Sequence, residues 1–478
     1  MVSPLLFIIG PLGTAFLMIL LNRRLVSLIL ALAVTLALGI LALSWLPLTL
    51  QAAQPMVVAS IPAPLGIPLS LDALGAGMAI IVALSALLVI LYSSTYLRND
   101  HAPVTYYAVV MLLLMASFGL VLTRDLFNLF VFFEILCISS YILVAWEQNS
   151  SALEASFKYM VLGSIGSTFM LVAIALAYRA AGSLAMADIA KAFSQANRGE
   201  VIVAAVLFLF GMGVEAAIFP VNTWLPDAHS SAPSSISALL SGFVIELSLV
   251  VLFRLGGTVF AQIHLLPVLQ SIAIAGILVG EFSAFAQHEV KRTLAYSSIA
   301  QVGLMLFALS LGSPEGAQAG LLQLLMHAAA KSTLFLVAGY FILRTGSRFM
   351  EDYKGLGRRM PLSGLFFGLA ALSLIGVPPF FGFFTKWGIL QAAVNLGGTI
   401  AWIGITSILL GTTLEAIYLF RIFQILYAKG ENDQVAEMEW PAVTAVALFV
   451  LVVVFGYFLL PVLTPVAGAA ANALTNLF

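Results

Sequence analysis

Seven ionisable residues stand inside apolar runs where hydrocarbon would surround them: Glu134, Glu215, Glu246, Glu281, Lys331, Lys386 and Glu415. His327 lies four residues before Lys331, so on a helix the two share a face. An ionised side chain at the centre of a membrane helix costs about 2.5–3.5 kcal/mol to insert, which makes so large a set hard to explain as accident. Groups of this kind suit proton transfer. Burial disfavours the charged form of carboxylates and amines alike, so both exchange protons near neutral pH. Coulombic coupling then lets a charge change at one site expel a proton at the next. For any single residue the plain alternative is a buried ion pair or a side chain that snorkels to the interface. A lone histidine on an apolar helix is more often a hydrogen-bonded core residue. The proton-carrying candidates are Glu134, Glu215, Glu246, His327, Lys331 and Lys386. Glu281 and Glu415 are additional relay candidates, expected nearest to an interface because the ends of their apolar runs are loosest.

The elements that hold these residues follow from composition. The chain has 478 residues, 62% apolar and 9% charged, and its mean hydropathy is +1.11. Soluble folds carry about 45–50% apolar and about 25% charged residues, so a water-soluble globular domain is excluded. The net charge of −1 gives nucleic acid nothing to bind. Cys137 is the single cysteine, which excludes an intrachain disulfide and a multi-thiolate cluster. The five histidines, at 101, 229, 264, 288 and 327, show no metal-ligand spacing. No metal centre and no cofactor are expected in this chain.

Apolar windows of helix length predict an all-α polytopic membrane protein with about fourteen crossings. They run near 2–21, 25–46, 71–94, 104–122, 126–146, 156–179, 201–219, 237–258, 266–286, 292–312, 316–344, 361–392, 398–428 and 441–461. Residues 462–478 then read as a short polar tail. The loops 47–70, 180–200 and 345–360 are too short for a catalytic domain. Arg23 and Arg24 follow the first apolar run, unlike the basic residues of a cleaved signal. Lys and Arg concentrate in the loops after odd-numbered crossings, including Arg23, Arg24, Arg98, Lys291, Arg292, Arg344, Arg348, Arg358 and Arg359. The other loops hold Arg124, Arg179, Lys191 and Arg198. The positive-inside rule therefore places the odd loops in the cytoplasm and both termini outside, in a multi-pass inner (plasma) membrane protein.

Two crossings are expected to break. Pro220 cannot donate to the carbonyl of Ala216, close to Glu215, and Pro378 with Pro379 frees those of Leu374 and Ile375, close to Lys386. A lone proline is usually a packing kink. Two breaks beside ionisable residues, in crossings 7 and 12, fit paired structural repeats with ion sites at the discontinuities.

The segments TWLPDAHSSAPSSISALLSG (223–242), FNLFVFFEILCISSYIL (127–143), KRTLAYSSIAQVGLM (291–305) and GVPPFFGFFTKW (376–387) resemble the large antiporter-like subunits. Such subunits occur in respiratory complex I, Mrp-type cation/proton antiporters and membrane-bound hydrogenases. The resemblance covers roughly crossings 4 to 13. It implies inverted five-helix repeats, crossings 4–8 and 9–13, with helices 7 and 12 broken. The divisions are then 1–103, 104–258, 259–430 and 431–478. It also implies that Glu134 is the helix-5 glutamate, Lys331 and His327 the central pair of helix 11, and Lys386 the helix-12 lysine. Glu215 and Glu246 stand where the family has a helix-7 lysine and a helix-8 lysine or histidine, so three acids are expected near one another. Either the first half still carries protons with altered polarity, or Glu134, Glu215 and Glu246 bind a cation such as Na⁺.

The leading expectation is an ion-translocating subunit of a multisubunit membrane complex. Its partners would be other membrane subunits, among them another antiporter-like chain, and a peripheral redox module. Its ions would be H⁺ and, on the cation alternative, Na⁺. A self-sufficient cation/proton transporter and a structural subunit that has lost transport are the alternatives. Chemistry, if the complex is a redox enzyme, would reside in other chains.

Overall fold

The computed structural model describes residues 3–51, 56–58, 66–98, 100, 102–263, 265–430 and 435–475. His101 and His264 lie outside these residues. The chain is built from helices: α1 (Leu6–Leu21), α2 (Arg24–Gln51), α3 (Ala73–Tyr96), α4 (Pro103–Leu122), α5 (Leu126–Val144), α6 (Ser150–Ala181) and α7 (Met186–Phe193). There follow α8 (Arg198–Glu215), α9 (Trp224–Ser231), α10 (Ser234–Leu239), α11 (Ile245–Thr258), α12 (Leu266–Phe285), α13 (Val290–Ser310) and α14 (Pro314–Thr345). The last are α15 (Leu356–Arg359), α16 (Pro361–Ile375), α17 (Phe381–Leu396), α18 (Gly398–Tyr427) and α19 (Trp440–Thr475). A π-turn at Leu240–Val244 joins α10 to α11, and one short hairpin pairs β1 (Met56–Val58) with β2 (Leu69–Leu71).

Among the described residues, eleven helices are long and apolar enough to cross a membrane. They are α2–α6, the α10–α11 unit, α12–α14, α18 and α19. The other three predicted crossings fall on α1, which has 16 residues, on α8, and on the α16–α17 pair. A bend of 114° separates the Met350–Arg359 segment from α16, which raises the number of spans to 12 if that pair is one. The predicted polar tail is replaced by helix: α19 runs 36 residues, straight through Pro461 and Pro465. In a membrane helix, neighbouring helices and local adjustment re-satisfy the backbone groups a proline frees.

Side-chain caps start several of these helices. Asp72, Asp125, Asn149 and Ser313 accept from the backbone N–H of Gly75, Asn128, Ala152 and Gly316 at 2.6–3.0 Å. Small residues let helices approach backbone to backbone. A Cβ on Gly280 of α12 would stand 2.5 Å from the Ala300 nitrogen of α13, and one on Gly211 of α8 would stand 2.6 Å from the Gly166 carbonyl of α6. The α10–α11 unit, α13 and α14 are buried on nearly every face, whereas α2, α6 and α19 turn Leu, Ile, Val and Phe outward. The polar side chains of α13 and α14 are thereby gathered at the centre, and apolar ones cover the outside.

Asp72 ties the first three helices to the rest. Its carboxylate accepts from Arg254 at 2.7 and 2.9 Å and from Arg124 at 2.6 Å, and Arg254 also donates to the Val121 carbonyl at 2.5 Å. Replacing Asp72 by Ala removes the cap on α3 and leaves Arg254 buried without its counter-charge. Loss of one partner of a buried pair costs about 3–5 kcal/mol. A lower thermal midpoint for the Asp72→Ala chain in detergent, with Asp72→Glu intermediate, is the expected result.

Candidate functional site: a buried polar axis

Glu415 sits near the middle of α18 and is fully buried. One oxygen accepts from Lys386 of α17 at 2.8 Å. The other accepts from Gln301 at 2.9 Å and Ser297 at 3.3 Å, both on α13. The Ser297 hydroxyl in turn accepts from Lys331 of α14 at 2.7 Å, and Lys331 also donates to the Leu294 carbonyl at 2.9 Å. A continuous hydrogen-bonded line thus runs Lys331–Ser297–Glu415–Lys386 across four helices. It branches from Gln301 through Gln323 to Thr385 at 2.8 and 2.6 Å. Glu281 of α12 accepts from Tyr418 at 3.0 Å and lies within electrostatic reach of Glu415 and Lys386. Glu415 and Glu281 are therefore buried members of the cluster. What buries them are the neighbouring helices, which the ends of a hydropathy window do not report.

The break before α17 is part of this cluster. Helix α16 ends at Gly376, whose φ of +90° lies in the left-handed region, and Val377 N–H donates back to the Leu372 carbonyl at 3.0 Å. Pro378 and Pro379 follow, and the freed Ile375 carbonyl accepts from Lys386 Nζ at 3.2 Å. The break after α8 has the same form. Ala217 is left-handed at φ +52°, Ile218 N–H donates to the Gly213 carbonyl at 2.9 Å, and Pro220 follows three residues later. Helix α8 consequently stops at Glu215, four residues short of the predicted end. The carbonyl met by a side chain there is Val214, through the Trp224 indole at 2.7 Å.

Between the two breaks lies a second pair. Glu246, two residues past the π-turn, contacts His327 Nδ1 at 2.6 Å, and both side chains are fully buried. The remaining Glu246 oxygen and His327 Nε2 have no hydrogen-bond partner among the described residues. π-turns inside α-helices occur often at functional sites.

Glu215 closes α8 beneath an aromatic wall. Tyr159 of α6 donates to it at 2.5 Å and the Cys137 thiol of α5 at 3.3 Å. Glu134 is close enough to Glu215 for their charges to repel. The three acids expected together are not one site. Glu246 is held by His327, and no group of three or more His, Cys, Asp or Glu side chains among the described residues could hold a metal ion. The acids come from different helices, and only packing decides which of them converge.

Sequence reasoning missed the uncharged members, Tyr159, Ser297, Gln301 and Tyr418, because hydroxyls and amides are ordinary in membrane helices. It also missed two charged or ionisable ones. His229, within the WLPDAH segment, is fully buried against Phe335 with no hydrogen-bond partner for either ring nitrogen among the described residues. Lys291, counted above as a loop residue, is 3% exposed and donates to the Ala232 carbonyl. The motif carrying His229 was the available signal.

A sequence profile described as NADH:quinone oxidoreductase/Mrp antiporter, transmembrane, matches residues 123–412, which hold the ionisable residues of this axis from Glu134 to Lys386 and stop just short of Glu415. The chain belongs to that family. A subunit of the NADH-quinone oxidoreductase of Desulforudis audaxviator is 34% identical over 452 residues, 92% of this chain and 89% of the relative. A subunit of the Na⁺/H⁺ antiporter of Bacillus subtilis is 31% identical over 424 residues, 87% and 85% of the two chains. A chain of the membrane-bound sulfane sulfur reductase, an archaeal respiratory membrane complex, superposes with a TM-score of 0.91 at 32% identity. That match covers 99% of this chain and 97% of the other.

The Lys386–Glu415 pair lends itself to a double-mutant cycle. Lys386→Met alone leaves a buried carboxylate uncompensated, at a cost of about 3–5 kcal/mol. Adding Glu415→Gln is expected to restore most of that loss, measured as thermal stability of the two single variants and the double variant. Additive losses would mean that the two groups do not interact.

Proposed function

We propose that this chain is a proton-translocating subunit of a multisubunit membrane complex, working by charge transfer between buried side chains without covalent chemistry of its own. The observation that carries this reading is the Lys331–Ser297–Glu415–Lys386 line, a buried route joining two lysines through a carboxylate. A protonation change at the Lys386–Glu415 pair alters the field at Lys331, and Lys331 lies one turn from His327. The Glu246–His327 pair links this cluster towards Glu215, which ends α8, because Glu246 sits on α11 and α11 packs against α8. The relatives are named as subunits, of an NADH-quinone oxidoreductase and of a Na⁺/H⁺ antiporter, which supports assembly with other membrane chains and an energy source outside this one. A solitary transporter finds no such support.

The identical backbone path at the two breaks, a left-handed residue and a proline three positions on, supports the division into repeats 104–258 and 259–430. Clustering of Lys and Arg supports both termini outside.

Two measurements test the reading. Lys386→Met/Glu415→Gln, the stable double variant, is expected to assemble and yet to reduce proton flux in energised native vesicles to the level of membranes lacking the complex. Unchanged flux would overturn the proposal. Mild-detergent purification of the tagged chain with mass spectrometry of its companions is expected to recover other membrane subunits. A chain that comes alone, where a control complex survives, would revive the solitary transporter.

A further inference from the structure

Outside Glu215 lies a groove of about 410 Å³ between α6 and the start of α9. Phe157 and Val161 form one wall, Thr223 and Asp227 the other, with Lys158 at the rim and Trp224 at the floor. The rim is charged: Asp227 pairs with Lys158 at 3.0 Å and with Arg292 at 2.9 Å, and Lys158 also pairs with Glu154 at 2.7 Å. Four charges, with Lys158 and Glu154 at least half exposed, place that end of the groove in the polar interface and not in hydrocarbon.

Behind the groove floor, the Trp224 ring lies flat on the Tyr159 ring, with centroids 3.6 Å apart and planes within 2°. Tyr141 abuts the other side of Tyr159 edge-on at 4.6 Å. The Tyr159 hydroxyl donates to Glu215, and the Trp224 indole N–H is fixed on the Val214 carbonyl, one residue away in the broken turn. The groove floor is thus joined to the carboxylate by two stacked rings, Trp224 facing the groove and Tyr159 reaching Glu215 through its hydroxyl. Both rings are latched to the helix end that the carboxylate terminates. A hydrogen bond to a carboxylate is roughly twice as strong as one to a neutral acceptor, so the latch tightens when Glu215 is charged and loosens when it is neutral.

We propose that the Tyr159–Trp224 stack is a gate between the groove and Glu215, held shut by the charged carboxylate. This rests on the proton-path reading of Glu215. Water reaches the carboxylate when the stack swings aside, and Glu215 closes the gate behind a departing proton.

The single native cysteine reports on the gate, since Cys137 is 1% exposed and its thiol lies 3.3 Å from Glu215. The test is the rate at which a charged, water-soluble methanethiosulfonate labels Cys137 in the full chain in native membranes, read by mass spectrometry of this chain. Tyr159→Phe keeps the ring stack and the Glu215 charge and removes only the latch. Labelling is expected to rise by about tenfold, the factor that loss of a hydrogen bond to a charged group makes in an opening equilibrium. Trp224→Leu, which removes the plate itself, is expected to label at least as fast. A Ser85→Cys, Cys137→Ser chain carries a remote buried thiol on α3, and its labelling is expected to stay slow when Tyr159→Phe is added.

Parent-like labelling of Cys137 in both Tyr159→Phe and Trp224→Leu would overturn the gate. A matching rise at the Ser85→Cys reporter would overturn it too, as general loosening. Proton flux in Glu215→Gln separates this from the underlying reading. Fast labelling with undiminished Glu215→Gln flux would leave the gate standing and remove Glu215 from the proton path.

Discussion

Hydrocarbon offers no partner to a charge, so every ionised group at depth must be met by another group of the same chain. Glu415 shows how far this constraint reaches. One oxygen faces an ammonium and the other an amide and a hydroxyl, drawn from two other helices. Helices α13, α14, α17 and α18 must therefore hold a fixed rotation about their axes, because a turn of any one would strand a charge. The outside of the bundle answers the same constraint in reverse, with aliphatic and aromatic side chains turned to the lipid.

The breaks extend the argument from side chains to backbone. A helix that stops inside the membrane leaves carbonyls that need donors. In both breaks a side chain from the segment that follows supplies one: the Trp224 indole for Val214 and the Lys386 ammonium for Ile375. The discontinuity and the ionisable group beside it are in consequence one unit. At Lys386 the charge itself satisfies the backbone. At Glu215 an aromatic does so, and the charge is latched to a second aromatic stacked on the first.

This difference divides the molecule functionally. Around Lys386 a cation and an anion compensate each other, so a proton gained or lost there unbalances a pair. Around Glu215 and Glu134 no cation stands in hydrogen-bond contact among the described residues, and the available donors are a phenol and a thiol. Like charges placed close together repel, and no counter-charge offsets that repulsion here. Glu246 and His327 stand between the two regimes, each with one heteroatom paired and one unpaired among the described residues.

The sequence by itself determined a good deal. Continuous apolar runs required membrane helices, because hydrogen bonds closed within each segment are the cheapest way through lipid, and the predicted runs fall on the helices found. Pro220, Pro378 and Pro379 marked both breaks, since a residue without an N–H is legible wherever it stands. The rarity of charge at depth singled out Glu134, Glu215, Glu246, Glu281, Lys331, Lys386 and Glu415 as candidates, with His327 beside Lys331. What sequence could not supply was partnership. That Glu246 faces His327 and not Glu215, that Glu415 faces Lys386, and that Tyr159 covers Glu215 are decided by helix rotation and crossing. So is the burial of Lys291. Each depends on contacts between residues dozens of positions apart, set by close approaches such as that of Gly280 on α12 to Ala300 on α13. A one-dimensional pattern records which residues avoid water; only the packed bundle decides which of them meet.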